Sequence, residues 1–115
     1  MAFLALAAQR SVLNLQKNFL QLQYLSISNQ NQAALAQMSS IEKYYSGMKD
    51  KNGQTPDYTE DADYIYYEEL SNQLETEKDS IDSQMTAIDN ELSSLKTLVN
   101  NSIKSSCTLN LASGG

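Results

Sequence analysis

Apolar residues recur at intervals of three and four along two long stretches of the chain, residues 2–46 and 60–105, which contain no Gly or Pro. This spacing places the apolar side chains on one face of an α-helix. The segment between the stretches holds Gly47, an Asn-Gly pair and Pro56, residue types that are typical of helix ends and turns. The pattern predicts an all-α fold, in which two long helices form an antiparallel coiled-coil hairpin.

The ends of these elements follow from local signals. Thr59 is the predicted N-cap of the second helix, because acidic residues follow it and complement the helix dipole. Near the carboxyl end, Cys107, Leu109 and Leu111 alternate with other residues, which favours an extended segment. We therefore expect one domain over residues 1–115, with a helix at about 2–46, a loop at about 47–59, a helix at about 60–105 and an extended tail at 106–115.

The second helix carries one narrow apolar seam. Its a and d positions alternate at spacings of three and four from Tyr64 to Ser102, with Ser71, Lys78 and Ser102 as polar exceptions. A stripe of this width suffices for one partner helix. The seam inside the hairpin is expected to contain Leu74, Ile81, Met85, Ile88, Leu92, Leu95 and Val99.

The first helix is apolar over a much wider arc. One register runs through Leu6, Leu13 and Leu20, and a second lies on an adjacent face. Together they cover roughly 200° of the helix at 100° per residue, which one antiparallel partner cannot bury. The sequence therefore predicts an assembly interface on this helix, formed by Val12, Leu13, Leu15, Phe19, Leu20, Leu22, Tyr24 and Ile27.

Charge is distributed unevenly along the chain, whose net charge is −6. No acid precedes Glu42, and the polar positions before it are filled mostly by Gln, Asn and Ser. An acid-poor and an acid-rich half attract each other when they lie side by side, within one chain or between chains, although drift in surface composition explains the same pattern. The negative charge argues against nucleic acid as a partner.

Composition also bears on chemistry. The chain has no His and one Cys, so the commonest general base and metal ligand is missing and no internal disulfide forms. The acids around Glu60 do not have the spacing of an EF-hand, and we expect no catalytic residue, metal or cofactor. Cys107 is expected to be a small apolar contact. The apolar amino terminus is too short for a membrane span, and it lacks the basic start of a cleaved signal, so we expect it to be retained.

Tyrosines gather near the loop end of the predicted hairpin. Tyr keeps a polar tip while it buries area, which suits both an interface and packing of the hairpin end against itself. We favour the second interpretation for Tyr44, Tyr45, Tyr58, Tyr64, Tyr66 and Tyr67.

An acid-free amino-terminal region, two long helices and a single loop resemble the needle and filament subunits of type III secretion and the terminal coiled coils of flagellin. Needle subunits usually carry two prolines at the turn, where this chain has Pro56. The chain also resembles the WXG100 group of secreted hairpins: Tyr45-Ser46-Gly47 stands at the turn, and Tyr64 and Glu68 have the spacing of the export signal. These resemblances imply export without a cleaved signal, followed by polymerisation or dimerisation outside the cell.

We expect a structural subunit that assembles with itself into a helical filament or tube at the cell surface or outside the cell. A secretion apparatus or chaperone would be its other partner. The alternative is a coiled-coil adaptor, an export chaperone or a WXG100-like dimer that binds another protein through the first helix, in the cytoplasm for an adaptor.

Overall fold

The computed structural model describes residues 2–48 and 53–114, and the side chains of residues 4–48 and 53–104. Helix α1 (Ala2–Ser46) and helix α2 (Ala62–Gly114) flank a short 3-10 turn at Tyr58–Glu60, and the described residues contain no strand. The two helices pack against each other as a hairpin. The predicted all-α hairpin fold is therefore confirmed.

The chain divides into two compact units along the helix pair. Unit 1 joins Met1–Leu22 to Asp82–Gly115, and unit 2 is the continuous stretch Gln23–Ile81. Each unit contains one segment of α1 and one of α2, so each has a seam of its own.

In unit 2, the seam contains the two most deeply buried apolar residues of the described side chains. Ala34 is 2% exposed and Leu74 is 4% exposed, and Tyr64 and Ile81 are also buried. Both residues that the sequence places in the hairpin seam within this unit, Leu74 and Ile81, thus belong to the buried core.

In unit 1, the residues of the seam are less completely buried. Ile88 and Leu95 are buried, whereas Met85, Leu92 and Val99 are half-buried. The heptad of the second helix assigns all five to the hairpin seam, and none of the five is fully exposed in the structure.

Two polar exceptions in the heptad of α2, Ser71 and Lys78, belong to one network of hydrogen bonds and ionic contacts in unit 2. Asn31, which is 4% exposed, accepts a hydrogen bond from Ser71 Oγ at 2.6 Å and donates from Nδ2 to Glu75 Oε1 at 2.5 Å. The same carboxylate oxygen lies 3.7 Å from Lys78 Nζ, which lies 5.6 Å from the centroid of the Tyr24 ring. A shift of one helix along the other would leave the buried Asn31 and Ser71 side chains unpaired, so this network fixes the register of the two helices in unit 2.

Helix α2 begins at a different residue from the one that the sequence suggested. Asp61, not Thr59, is the N-cap: its backbone is extended at φ −66 and ψ 131, and its Oδ1 accepts from the backbone N–H groups of Asp63 and Tyr64 at 2.9 and 3.0 Å. Thr59 instead donates from its N–H and its hydroxyl to Asp57 Oδ1. Asp61 accepts hydrogen bonds from three donors, the two backbone N–H groups and a tyrosine hydroxyl. A carboxylate has about four acceptor sites, whereas the Thr59 hydroxyl has two.

The third donor to Asp61 comes from α1. Tyr45 donates its phenol hydrogen to Asp61 Oδ2 at 2.5 Å, which ties the end of α1 to the start of α2 across the loop. This hydrogen bond raises the pKa of the Tyr45 phenol and, with the backbone N–H bonds, lowers the pKa of the Asp61 carboxyl. The pair is stabilised in the form of a neutral phenol and a charged carboxylate.

The carboxyl end of α2 corrects another expectation. The tail that the sequence suggested to be extended from residue 106 is helical to Gly114. Three alternating residues are a weak strand signal, and no Gly or Pro stands between Pro56 and Gly114 to stop the helix. The side chain of Cys107, for which a small apolar contact is expected, lies outside the described side chains.

Asn31→Ala tests the polar network. The substitution removes the partner of Ser71 and of Glu75 and leaves Ser71 buried without an acceptor. We expect it to lower the free energy of unfolding by about 1–3 kcal/mol. Asn29→Ala, at an exposed position two residues away, is the matched control, with an expected change within about 0.5 kcal/mol. Equal effects in urea titrations of the two variants would contradict the account.

Tyr45→Phe tests the contact across the loop. In the wild type, the Asp61 carboxylate contributes to the free energy of unfolding. This contribution is complete above the ordinary carboxyl pKa of 3.8 and is lost as the pH falls through the lowered pKa of Asp61. The contribution of the Tyr45 phenol to the free energy of unfolding is complete below the ordinary phenol pKa of 10.0. It is lost as the pH rises through the raised pKa of Tyr45.

In Tyr45→Phe we therefore expect the Asp61 pKa, measured by NMR titration, to move up towards 3.8, without reaching it because the two backbone N–H groups still donate. The loss of stability on acidification should become smaller. Tyr44→Phe, at the exposed neighbouring ring, is the control and should leave the Asp61 pKa unchanged. An unchanged Asp61 pKa in Tyr45→Phe would rule out the hydrogen bond.

Candidate functional site

The two apolar registers of α1 have different environments in unit 1. Leu6, Leu13 and Leu20 are half-buried, and Leu13 lines a groove together with Leu95 of α2. The other register is open to solvent. We call it the exposed stripe, and its side chains are 52%, 69%, 61% and 67% exposed at Val12, Leu15, Phe19 and Leu22.

The predicted assembly interface is therefore two surfaces. Leu13, Leu20, Tyr24 and Ile27 are half-buried: in unit 2, Tyr24 lies beneath Lys78 and Ile27 lines a shallow groove with Ile81. The remaining four predicted residues form the exposed stripe. The width of the apolar arc follows from the sequence, but only the packing of α2 tells which part of the arc is already covered.

The exposed stripe is bordered by uncharged polar side chains. Ser11 and Asn18 lie along one side of it on the helical wheel and Gln16 lies along the other, and all three are exposed. The lysine of this segment is engaged elsewhere, since Lys17 is half-buried and forms an ion pair with Asp89 at 2.6 Å. An apolar strip with a polar, uncharged border has the composition of a protein–protein interface core.

A groove between α1 and α2 in unit 1 adjoins the stripe at Val12. Its floor contains Leu13 and Leu95, and Leu98 stands at its rim with 52% of its surface exposed. Leu98 is the one large apolar residue that breaks the narrow heptad of α2 in this region. That break is the sequence signal for a second apolar surface on α2, which heptad assignment alone does not detect.

The apolar core of the described residues is small. Its buried apolar members are Ala34, Tyr64, Leu74, Ile81, Ile88 and Leu95. No large side chain among the described residues is less than 2% exposed, whereas the large apolar residues that stay exposed are Leu4, Val12, Leu15, Phe19, Leu22, Leu25, Leu35, Tyr44, Ile65, Tyr66, Leu98 and Ile103. The exposed set outnumbers the buried set, so one copy of the chain leaves much of its apolar surface in water.

The tyrosines at the loop end in unit 2 form edge-to-face pairs. The ring centroids are 5.7 Å apart in Tyr44–Tyr45, 5.0 Å in Tyr58–Tyr64 and 5.2 Å in Tyr66–Tyr67. Tyr64 is buried, which raises its phenol pKa, while Tyr44 and Tyr66 are 67% and 60% exposed. The pairs pack locally, and their exposed members remain available to a partner.

Within the described residues, no group of three His, Cys, Asp or Glu side chains is arranged to hold a metal ion. The same residues include no helix that is both long and apolar enough to cross a membrane. Comparison of the chain with known protein families, with curated proteins and with solved structures gave no match.

Leu95→Ala and Leu15→Ala separate the covered surface from the uncovered one. Leu95 is 7% exposed and Leu15 is 69% exposed. At concentrations where the chain is monomeric, Leu95→Ala should lower the free energy of unfolding by about 2–5 kcal/mol. Leu15→Ala should change it by no more than about 0.5 kcal/mol. A comparable loss in both variants, measured by chemical denaturation, would mean that Leu15 is buried within a single chain.

Proposed function

We propose that the chain is a structural subunit that assembles with itself into a helical filament or tube. The observation that carries the proposal is the exposed stripe of α1. Four large apolar side chains, each more than half exposed, lie in a row on a helix whose other apolar register already packs in the hairpin. Contiguous apolar surface of this kind marks sites of association.

The small core supports the same proposal. A pair of helices shares one seam and buries little surface per residue, and chains of this design gain stability by oligomerisation. Covering the stripe with other copies would remove it from water at about 25 cal/mol per Å² of apolar surface. Assembly then completes the fold as well as building the polymer.

The acidic residues of α2 support a soluble polymer. Most of its carboxylates lie off the heptad core and are exposed: Glu68, Glu69, Glu75, Glu77, Asp79, Asp82, Asp89 and Glu91. Glu75 and Asp89 contact Asn31 and Lys17 of α1; with the stripe in the interior, we expect the other carboxylates to look outward. Their charge keeps neighbouring polymers apart.

The proposal also includes the location of the assembly. Export without a cleaved signal and assembly at the cell surface or outside the cell follow from the resemblance to secreted hairpin subunits. The chain has no catalytic role in this proposal, and its partners are other copies of itself and, before assembly, a secretion apparatus or chaperone.

A binding module is the second candidate, and the groove of unit 1 favours it. The groove between Val12 and Leu98 is open and has an apolar floor, which suits one amphipathic helix of another protein. In this case the chain is a coiled-coil adaptor or an export chaperone. It would stay a small oligomer at every concentration until its partner is added.

The variant Leu15→Ser/Phe19→Ser tests the proposed assembly. Replacing both side chains removes most of the apolar area of the stripe and leaves the hairpin seam intact. We expect the polymer to disappear in sedimentation and negative-stain microscopy, while the far-UV circular dichroism of the chain remains helical.

The matched control is Leu35→Ser, a large, 47% exposed apolar residue of α1 that lies outside the stripe. It should assemble like the wild type. Unchanged polymers from the double variant would contradict the assignment of the stripe to the interior, and loss of helical signal would show that the variant misfolds; Leu15→Thr/Phe19→Thr then repeats the test.

A further inference from the structure

The exposed stripe is part of a longer regular pattern. Ala5 and Ala8 are also exposed, and with the stripe they form a run at successive spacings of three, four, three, four and three residues: Ala5, Ala8, Val12, Leu15, Phe19 and Leu22. This is the alternation of a and d positions in a coiled coil. We call this run the second heptad, because α1 already uses Leu6, Leu13 and Leu20 on its half-buried side.

We propose that the second heptad pairs with the second heptad of another copy of the chain, as an antiparallel two-stranded coiled coil. The inference rests on the proposed self-assembly and gives one of its contacts and the direction of that contact. Because a twofold pair of this kind closes on itself, the polymer grows through a further contact elsewhere on the chain. The run covers 18 residues of α1, all in unit 1, or about 27 Å of helix.

The order of side-chain sizes specifies the direction. The side chains of the run are small at its amino-terminal end, where there are two Ala residues, and large at its carboxyl end, where Phe19 and Leu22 stand. In an antiparallel pair, each a residue of one copy faces a d residue of the other. The layers then become Ala5 with Leu22, Ala8 with Phe19, and Val12 with Leu15. The twofold axis of the pair repeats each of these three layers with the two copies exchanged.

Every layer therefore combines a smaller residue with a larger one. This keeps the distance between the two helices even and lets the side chains interdigitate. A parallel pair would place Ala5 against Ala5 and Phe19 against Phe19. Such a parallel pair would have voids at its Ala5 end and crowding at its Phe19 end. The order of side-chain sizes along the run therefore favours the antiparallel arrangement.

The borders of the second heptad are compatible with a copy of themselves. The e positions within it are Gln9 and Gln16, and the g positions are Ser11 and Asn18, all exposed and uncharged. In the antiparallel pair, Gln9 lies beside Gln16 of the other copy, so amides meet amides. Charges at e and g positions usually direct a helix to a different, complementary partner, and these four positions carry none.

The two cations of the segment are placed away from the contact. Arg10 and Lys17 occupy the f positions of the second heptad, the side opposite its core. Lys17 is also neutralised by Asp89 at 2.6 Å. Pairing two identical copies through the second heptad therefore sets neither of these cations against its counterpart, which makes a second copy the occupant that the charges of this α1 segment favour.

Disulfide trapping tests the pairing. Cys107, the only cysteine, is first replaced by Ser in the full-length chain. Ala5→Cys and Leu22→Cys are then made in separate proteins. These two positions form the outermost layer of the proposed coiled coil, where a change of side chain disturbs the packing least. A size tag on one of the two proteins distinguishes mixed disulfides from those between identical chains.

Under assembling conditions with mild oxidation, the mixture should give the mixed disulfide, and each protein alone should give none. In a parallel pair these positions are about 26 Å apart along the helix, far beyond the reach of a disulfide. Arg10→Cys, at an f position, is the control and should not cross-link to Leu22→Cys.

Disulfides between identical chains, Ala5→Cys with itself or Leu22→Cys with itself, would overturn the antiparallel direction. The absence of any disulfide, in protein that still assembles, would overturn the pairing and leave the proposed function in place. Conversely, a mixed disulfide in protein that remains a dimer at every concentration would support the pairing and contradict the filament.

Discussion

A helix pair provides one seam, and this single constraint governs the rest of the structure. α2 has one narrow apolar face, which the seam absorbs. α1 has two apolar registers in unit 1, of which the seam covers one and leaves the stripe from Val12 to Leu22 more than half exposed. No rotation of α1 resolves this mismatch, because burying the second register against α2 would expose the first.

Polar contacts nevertheless hold the helices of unit 2 in one arrangement. Asn31 and Ser71 meet in a buried hydrogen bond, and Tyr45 reaches the N-cap residue Asp61 at the loop end. These contacts contribute specificity, because an altered register leaves them unpaired at a cost that a small apolar core cannot offset.

The sequence predicts the elements of this fold well, because breakers and periodicity are local signals. α1 ends at Ser46, directly before Gly47, and the a and d residues of α2 from Tyr64 to Ser102 are all buried or half-buried. The predicted N-cap of α2 was wrong, because Thr59 and Asp61 are both residue types that cap helices. In the structure, Asp61 accepts from two backbone N–H groups of α2 and from the Tyr45 hydroxyl, a contact that the local sequence does not reveal.

The site was predictable only in part, for a related reason. Ser71 stands out as a polar exception in the heptad, but its partner Asn31 lies 40 residues away, and a pattern within one helix does not identify it. Likewise, the wide apolar arc of α1 predicts an interface without dividing it into covered and exposed registers. That division depends on where α2 lies, which is a tertiary property.

The central claim, that the exposed apolar face of α1 drives assembly into a polymer, is tested most directly by the mass of the purified chain as a function of its concentration. Static light scattering should give a mass that continues to grow as concentration rises, with uniform fibres in micrographs of the same samples. A mass that stays at one fixed small oligomer over the whole range would contradict the claim.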